Sequence, residues 1–68
     1  MWTINGYTVK MAGVSSDGSI VILAHDPSQV QPWVTARMRH MDETQWSNGH
    51  YYFYSQEGEA FKDWMDRL

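Results

Sequence analysis

Residues His50–Leu68 read HYYFYSQEGEAFKDWMDRL, and the fold turns on where this stretch passes from one kind of element to another. Successive side chains of a strand point to opposite faces of its sheet. The aromatics that follow His50 would therefore place Tyr51 and Phe53 on one face, Tyr52 and Tyr54 on the other. Farther on, Ala60, Phe61, Trp64, Met65 and Leu68 recur at i, i+1, i+4, i+5 and i+8, an apolar stripe on the helical period. The spacing predicts a helix over 57–67. Ser55 is placed to cap it, Glu57 and Glu59 suit its positive end and Arg67 its negative end. Gly58 weakens the first turn by about 1 kcal/mol relative to Ala. So short a helix does not hold alone in water, so its stripe must dock on a sheet.

The preceding residues supply that sheet. Asn5-Gly6, Asp17-Gly18 and Asn48-Gly49 each match the type I′ hairpin dipeptide, whose central residues both need positive φ. A two-residue turn at Asn5-Gly6 opposes Ile4 to Tyr7, Thr3 to Thr8 and Trp2 to Val9. Apolar then meets apolar and polar meets polar, as a correct register requires. Strands are expected at about 2–4, 7–12, 20–25, 33–40 and 50–54. The run IVILAH, 20–25, is apolar on both parities and reads as a central strand with neither face wet. Pro27 and Pro32 make 26–32 a loop. In the polar connection 42–49, Trp46 opposes Tyr51 and joins the core if Asn48-Gly49 is a two-residue turn. A wider loop exposes it.

These elements make an α+β fold: an antiparallel meander of four to five strands with one C-terminal helix packed on one face, and 1–68 as a single small domain. The expected buried face carries Trp2, Ile4, Tyr7, Val9, Met11, Ile20, Ile22, Val34, Ala36, Met38, Tyr51 and Phe53. Phe61, Trp64, Met65 and Leu68 would close it. A layout of this kind is common among small bacterial and phage accessory proteins, a likeness that assigns no site.

Composition narrows the function. The 68 residues include no cysteine, which excludes disulfides, thiol catalysis and thiolate metal sites. Four Trp, four Tyr, two Phe and five Met supply the core instead. A net charge of −3 argues against a general nucleic-acid binder. No apolar run approaches the ~20 residues of a membrane span. The opening MWTINGYTVKM lacks the basic and apolar regions of a signal peptide, so a cytoplasmic protein is expected.

The opposite parity carries Lys10, Val21, Leu23, His25, Trp33, Thr35, Arg37, Arg39, His50, Tyr52 and Tyr54. Arg stacked on Tyr or Trp is ordinary sheet stabilisation. An apolar centre at Val21 and Leu23 suits a partner better than water does. The expectation is a non-enzymatic protein–protein interaction module binding another protein or a second copy of itself. It would use this face or an exposed strand edge, with Trp33, Arg37, Arg39, Tyr52 and Tyr54 in contact and Leu23 at the centre. The alternative is single-stranded nucleic acid stacked on the same aromatics. His25 beside Asp26, His40 near Asp42 and Glu43, and His50 lack metal-ligand spacing. Asp63 and Asp66 read as the wet side of the helix. No nucleophile or phosphate-loop pattern is present, so no catalytic residue, metal, cofactor or small-molecule substrate is expected.

Overall fold

A computed structural model describes residues 1–41 and 44–68. Five strands, β1 (Thr3–Ile4), β2 (Tyr7–Val14), β3 (Ile20–His25), β4 (Trp33–Met38) and β5 (Ser47–Tyr52), precede a 3-10 turn (Tyr54–Gln56) and the helix α1 (Glu57–Asp66). The strands form one antiparallel meander in the order β1-β2-β3-β4-β5, with α1 packed on it. The α+β class is the one the patterning predicts. Asp42 and Glu43, the acids near His40 at the start of the polar connection, lie outside the described residues.

The three turn dipeptides take three different conformations. Asn5 and Gly6 both have positive φ, 53° and 84°, and Ile4 opposes Tyr7 as the type I′ turn demands. At the second hairpin only Gly18 is left-handed, and its N–H donates to Ser15 O while Ser15 N–H donates to Ser19 O. That is the longer hairpin loop, a four-residue turn, Ser15–Gly18, ending on a left-handed glycine. Asn48-Gly49 is not a turn. It lies inside β5 as a bulge, with Asn48 at φ 55° and the two residues set against Ala36. A left-handed residue serves a bulge as well as a type I′ turn, so the dipeptide alone does not distinguish them.

The inside-outside assignment is where the structure departs from expectation. α1 lies over β3, β4 and β5 on the face carrying Val21, Leu23, Trp33, Thr35 and Tyr52, the face expected to be bare. Ala60 and Trp64 are the buried helical residues, and the Trp64 indole donates to the carbonyl of Val21 at 2.8 Å. Phe61, Met65 and Leu68, expected beneath the helix, stay partly exposed along its flank. Ser55 is not the cap either. It lies within the 3-10 turn, where Gln56 Oε1 accepts the Phe53 N–H at 2.9 Å.

The residues expected to be buried on the opposite face are mostly buried, by a different agent. Ile4, Ile20, Ile22, Ala36 and Met38 form one cluster, and Tyr7, Ala24 and Val34 another; Trp2, Val9 and Trp46 pack against them. The Tyr7 ring meets Trp46 at 5.7 Å and Tyr51 at 6.3 Å, although β2 and β5 are three strand steps apart. In a flat sheet those strands would be about 14 Å apart. The sheet is therefore coiled, and its outer strands fold toward one another over Ile22 and Ala36. Trp46 joins this core while Asn48-Gly49 bulges, a combination the turn argument did not foresee. Tyr51 and Phe53 are not buried as expected: Tyr51 stays 45% exposed at the edge of this core, and Phe53, past the end of β5 at Tyr52, is half exposed.

A second bulge explains Met11. The register shifts between Val9 and Met11, so Val9 opposes Ala24 on the coiled face while Met11 opposes Leu23 on the helix face. One extra residue, Lys10, moves the rest of β2 to the other parity.

Candidate functional site

Three arrangements on the helix side could carry function. The first is polar. Thr35 Oγ1 and the Tyr52 hydroxyl each donate to Asp63 Oδ2 at 2.7 Å, and His50 Nδ1 lies 3.0 Å from the same oxygen. Arg67 donates to Thr35 Oγ1 at 3.0 Å and to Asn48 O at 2.6 Å, the carbonyl of the bulge residue. Partial burial works against the Asp63 carboxylate. The hydrogen bonds from Tyr52, Thr35 and His50, with the Arg67 charge, outweigh it and hold its pKa below the usual value. Tyr52 is pushed up to about 12, by burial first and then by donating to the Asp63 carboxylate. Asp63 thus faces the sheet, not water, although its place outside the apolar stripe puts it on the wet side of the helix.

This cluster resembles an Asp–His dyad, but its hydroxyls both donate to the carboxylate and leave no nucleophile set against the imidazole. Its geometry is that of a clasp. It ties α1 to β4 and β5 at a point where Thr35, fully buried, would otherwise hold an unpaired hydroxyl. Among the described residues no group of three or more His, Asp and Glu side chains is arranged to hold a metal ion.

The second arrangement is a cleft of about 470 Å³ beside the first turn of α1. Leu23 and Met11 form its floor, Trp33 and Phe61 its walls, and Lys10, Glu57 and Gly58 its rim. Trp33 is held in place by His25 directly across the ladder, the two rings 4.1 Å apart. A smaller hollow of about 230 Å³ continues past Trp33 and Glu57 to His25 and Tyr54. Gly58 borders the main cleft, and a Cβ there would stand in open space with no atom within 4 Å.

The third arrangement adjoins the second. β1 pairs only with Tyr7 and Thr8, and Trp2 O accepts the Val9 N–H at 2.8 Å. Beyond that point, Lys10–Val14 has no partner strand on its outer side among the described residues, and Lys10, Ala12 and Val14 are exposed. Above this edge runs the ridge of Phe61, Met65 and Leu68, each 38–47% exposed. Leu68 and Trp64 lie over Gly13, where a Cβ would come within 2.7 Å of Leu68 Cδ2 and 3.4 Å of Trp64. The opposite edge, β5, is interrupted by its bulge, and Arg67 already occupies the Asn48 carbonyl.

The residues singled out from the sequence separate accordingly. Leu23 and Trp33 come together in the cleft, with Leu23 only 4% exposed beneath it rather than at the centre of an open face. Tyr54 is 82% exposed in the 3-10 turn and borders the smaller hollow, whereas Tyr52 is engaged with Asp63. Arg37 donates to Ser19 at 2.9 Å and lies 3.8 Å from Asp17, so it braces the second hairpin. Arg39 is exposed past the end of β4. The aromatic-cationic face proposed for nucleic acid is therefore dispersed, its Tyr52 and Arg37 already engaged. Met11, Phe61 and Gly58 also line the cleft; strict alternation puts Met11 on the other face, and the apolar stripe puts Phe61 beneath the helix.

Among the described residues no helix is long and apolar enough to cross a membrane. Compared with protein-family models, curated proteins and solved structures, the chain matches none, so its site is read from its own geometry.

Proposed function

We propose that this chain is a non-enzymatic protein-interaction module of the cytoplasm, and that its working surface is the open edge of β2 with the adjoining cleft and ridge. The observation that supports the reading is one of placement. Lys10 and Met11 belong at once to the unpaired edge and to the apolar cleft. A strand added along Lys10–Val14 would gain main-chain hydrogen bonds. Its alternate side chains would fall on the helix face, beside the cleft and against Phe61 and Leu68. Strand edges left open in this way are usually blunted by charge or by a bulge. Here the bulge and Lys10 stand at the β1 end only, and Met11–Val14 remains apolar. The cation-bearing sheet face has no part in this reading.

Selection of random peptides on the immobilised chain tests it. Enriched peptides should alternate apolar and polar residues. Their affinity should fall about tenfold or more in Ala12→Lys, which sets a charge on the edge, and in Phe61→Lys, which sets one on the ridge. Peptides that bind both variants as well as the parent would place the working surface elsewhere.

A further inference from the structure

We infer that the strand accepted by β2 is the β2 of a second copy, the two chains pairing antiparallel about a two-fold axis at Ala12; this rests on the reading of β2 as the working edge. The window Lys10–Val14 is bounded by β1 at one end and by the Ser15–Ser19 turn at the other. Centring the axis on Ala12 uses the whole window. Ala12 then meets Ala12, Met11 meets Gly13 and Lys10 meets Val14 of the other copy. Directly opposed residues share a face, so both helices come to lie on the same side of a continuous sheet.

Shape favours this register. Met11, which floors the cleft, faces a residue with no side chain, Gly13 of the second copy. That glycine carries Leu68 above it in each chain. Pairing therefore brings Leu68 of one copy against Met11 and Phe61 of the other, at the mouth of the cleft, and does so twice by symmetry. The large residue meets the small one, and the partly exposed ridge is covered from both sides.

Charge favours it as well. α1 runs in the same direction as β2, its first turn beside Lys10 and its last residues over Gly13. An antiparallel pair sets Lys10 of each copy level with the C-terminal end of the other helix, where the dipole is negative and the exposed Asp66 is paired only with Lys62, at 3.4 Å, among the described residues. Arg67, at that same end, is turned inward onto Thr35 and Asn48. Lys10 is the one charged residue of the window, and the two copies of it lie at opposite ends of the ladder.

The chain has no cysteine, so a single introduced thiol reports the register. Opposed residues hold their Cβ atoms about 4.5–5.5 Å apart, close to disulfide reach. Under mild oxidation Ala12→Cys should form a covalent dimer about tenfold faster than Val30→Cys, an exposed loop control. Sedimentation of the parent chain should show reversible dimerisation, and Ala12→Lys should shift it to monomer while melting like the parent at dilutions where the parent is itself monomeric. A parent chain that sediments as a monomer throughout, with Ala12→Cys cross-linking no faster than the control, overturns the inference. If library peptides still bind Lys10–Val14 in that case, the edge remains the working surface and only self-pairing fails; if they do not, both proposals fail.

Discussion

On one side of the sheet, Val21, Leu23 and Thr35 lie under a single helix pinned by Trp64. On the other, Ile22, Val34 and Ala36 are shut in by the coil of the sheet and by Trp2, Tyr7 and Trp46, with Tyr51 against Tyr7 at the edge. The first closure is local, one indole and one polar clasp. The second is distributed over strands at both ends of the meander. A chain this short covers both faces because it uses different means for each, and one aromatic of each pair in HYYFY serves one of them. Tyr51 belongs to the coiled side, and Tyr52 to the clasp.

The contrast is tested most severely by truncating the aromatic on each side. Trp64→Ala removes a side chain only 8% exposed together with its bond to Val21 O, and should destabilise by about 3–5 kcal/mol. Trp46 is half-buried and shares its task with three other rings, so Trp46→Ala should cost roughly half as much. Chemical denaturation of the two variants measures both. A larger loss at Trp46 would make the coiled face the more dependent on one residue and invert the comparison.

The clasp comes next. Asp63→Ala removes the acceptor of three groups and deprives buried Thr35 of the oxygen to which it donates, at an expected cost of about 1–3 kcal/mol. Had Asp63 been a solvated helical residue, as its charge suggests, the change would be nearly neutral. Equilibrium denaturation separates the two cases.

Much of this fold was legible in the residues. The Asn5-Gly6 register, the doubly buried β3 and the helix emerge from turn chemistry and periodicity alone. The side chains sharing a face on β1, β3 and β4 were also sorted correctly. The choice of face for the helix was not legible, because both sides of β3 are apolar and a coiled sheet can dry one of them unaided. Nor was the rotation of α1. Ala60, Asp63, Trp64 and Arg67 are spaced as well for docking as the purely apolar stripe is. Nothing in the sequence marks the polar pair Asp63 and Arg67, because their partners, Thr35, Tyr52 and the Asn48 carbonyl, converge only after folding. Bulges hid the rest: Lys10 moved Met11 into the cleft, and Asn48-Gly49 carried the signature of a turn.

Titration should reveal the clasp from both ends. Asp63, with its pKa held below 3.8, contributes stability that is complete above that value and is lost as pH falls through the lower folded value. Tyr52, raised from 10.0 to about 12, contributes stability that is complete below pH 10 and is lost as pH rises toward 12. Tyr7 is also raised, by burial first, and adds to the alkaline loss from the coiled side. Tyr52→Phe should cost about 1 kcal/mol at neutral pH and flatten the alkaline limb of the melting profile, leaving the Tyr7 contribution. An unchanged limb would assign the whole alkaline loss to the coiled face.

The smallest expected effect has the opposite sign. Gly58 sits in the first turn of α1 outside the left-handed region, with open space where a Cβ would stand. Gly58→Ala should therefore stabilise the fold by about 0.5–1 kcal/mol, through a stiffer unfolded chain and a better helix former. The added methyl would also stand at the border of the cleft, more than 4 Å from the Phe61 and Met11 side chains. If the cleft receives Leu68 of a second copy, the variant should melt higher yet dimerise more weakly in sedimentation. A variant that gains stability and dimerises unchanged would leave the ladder along β2 to hold the copies together without the cleft.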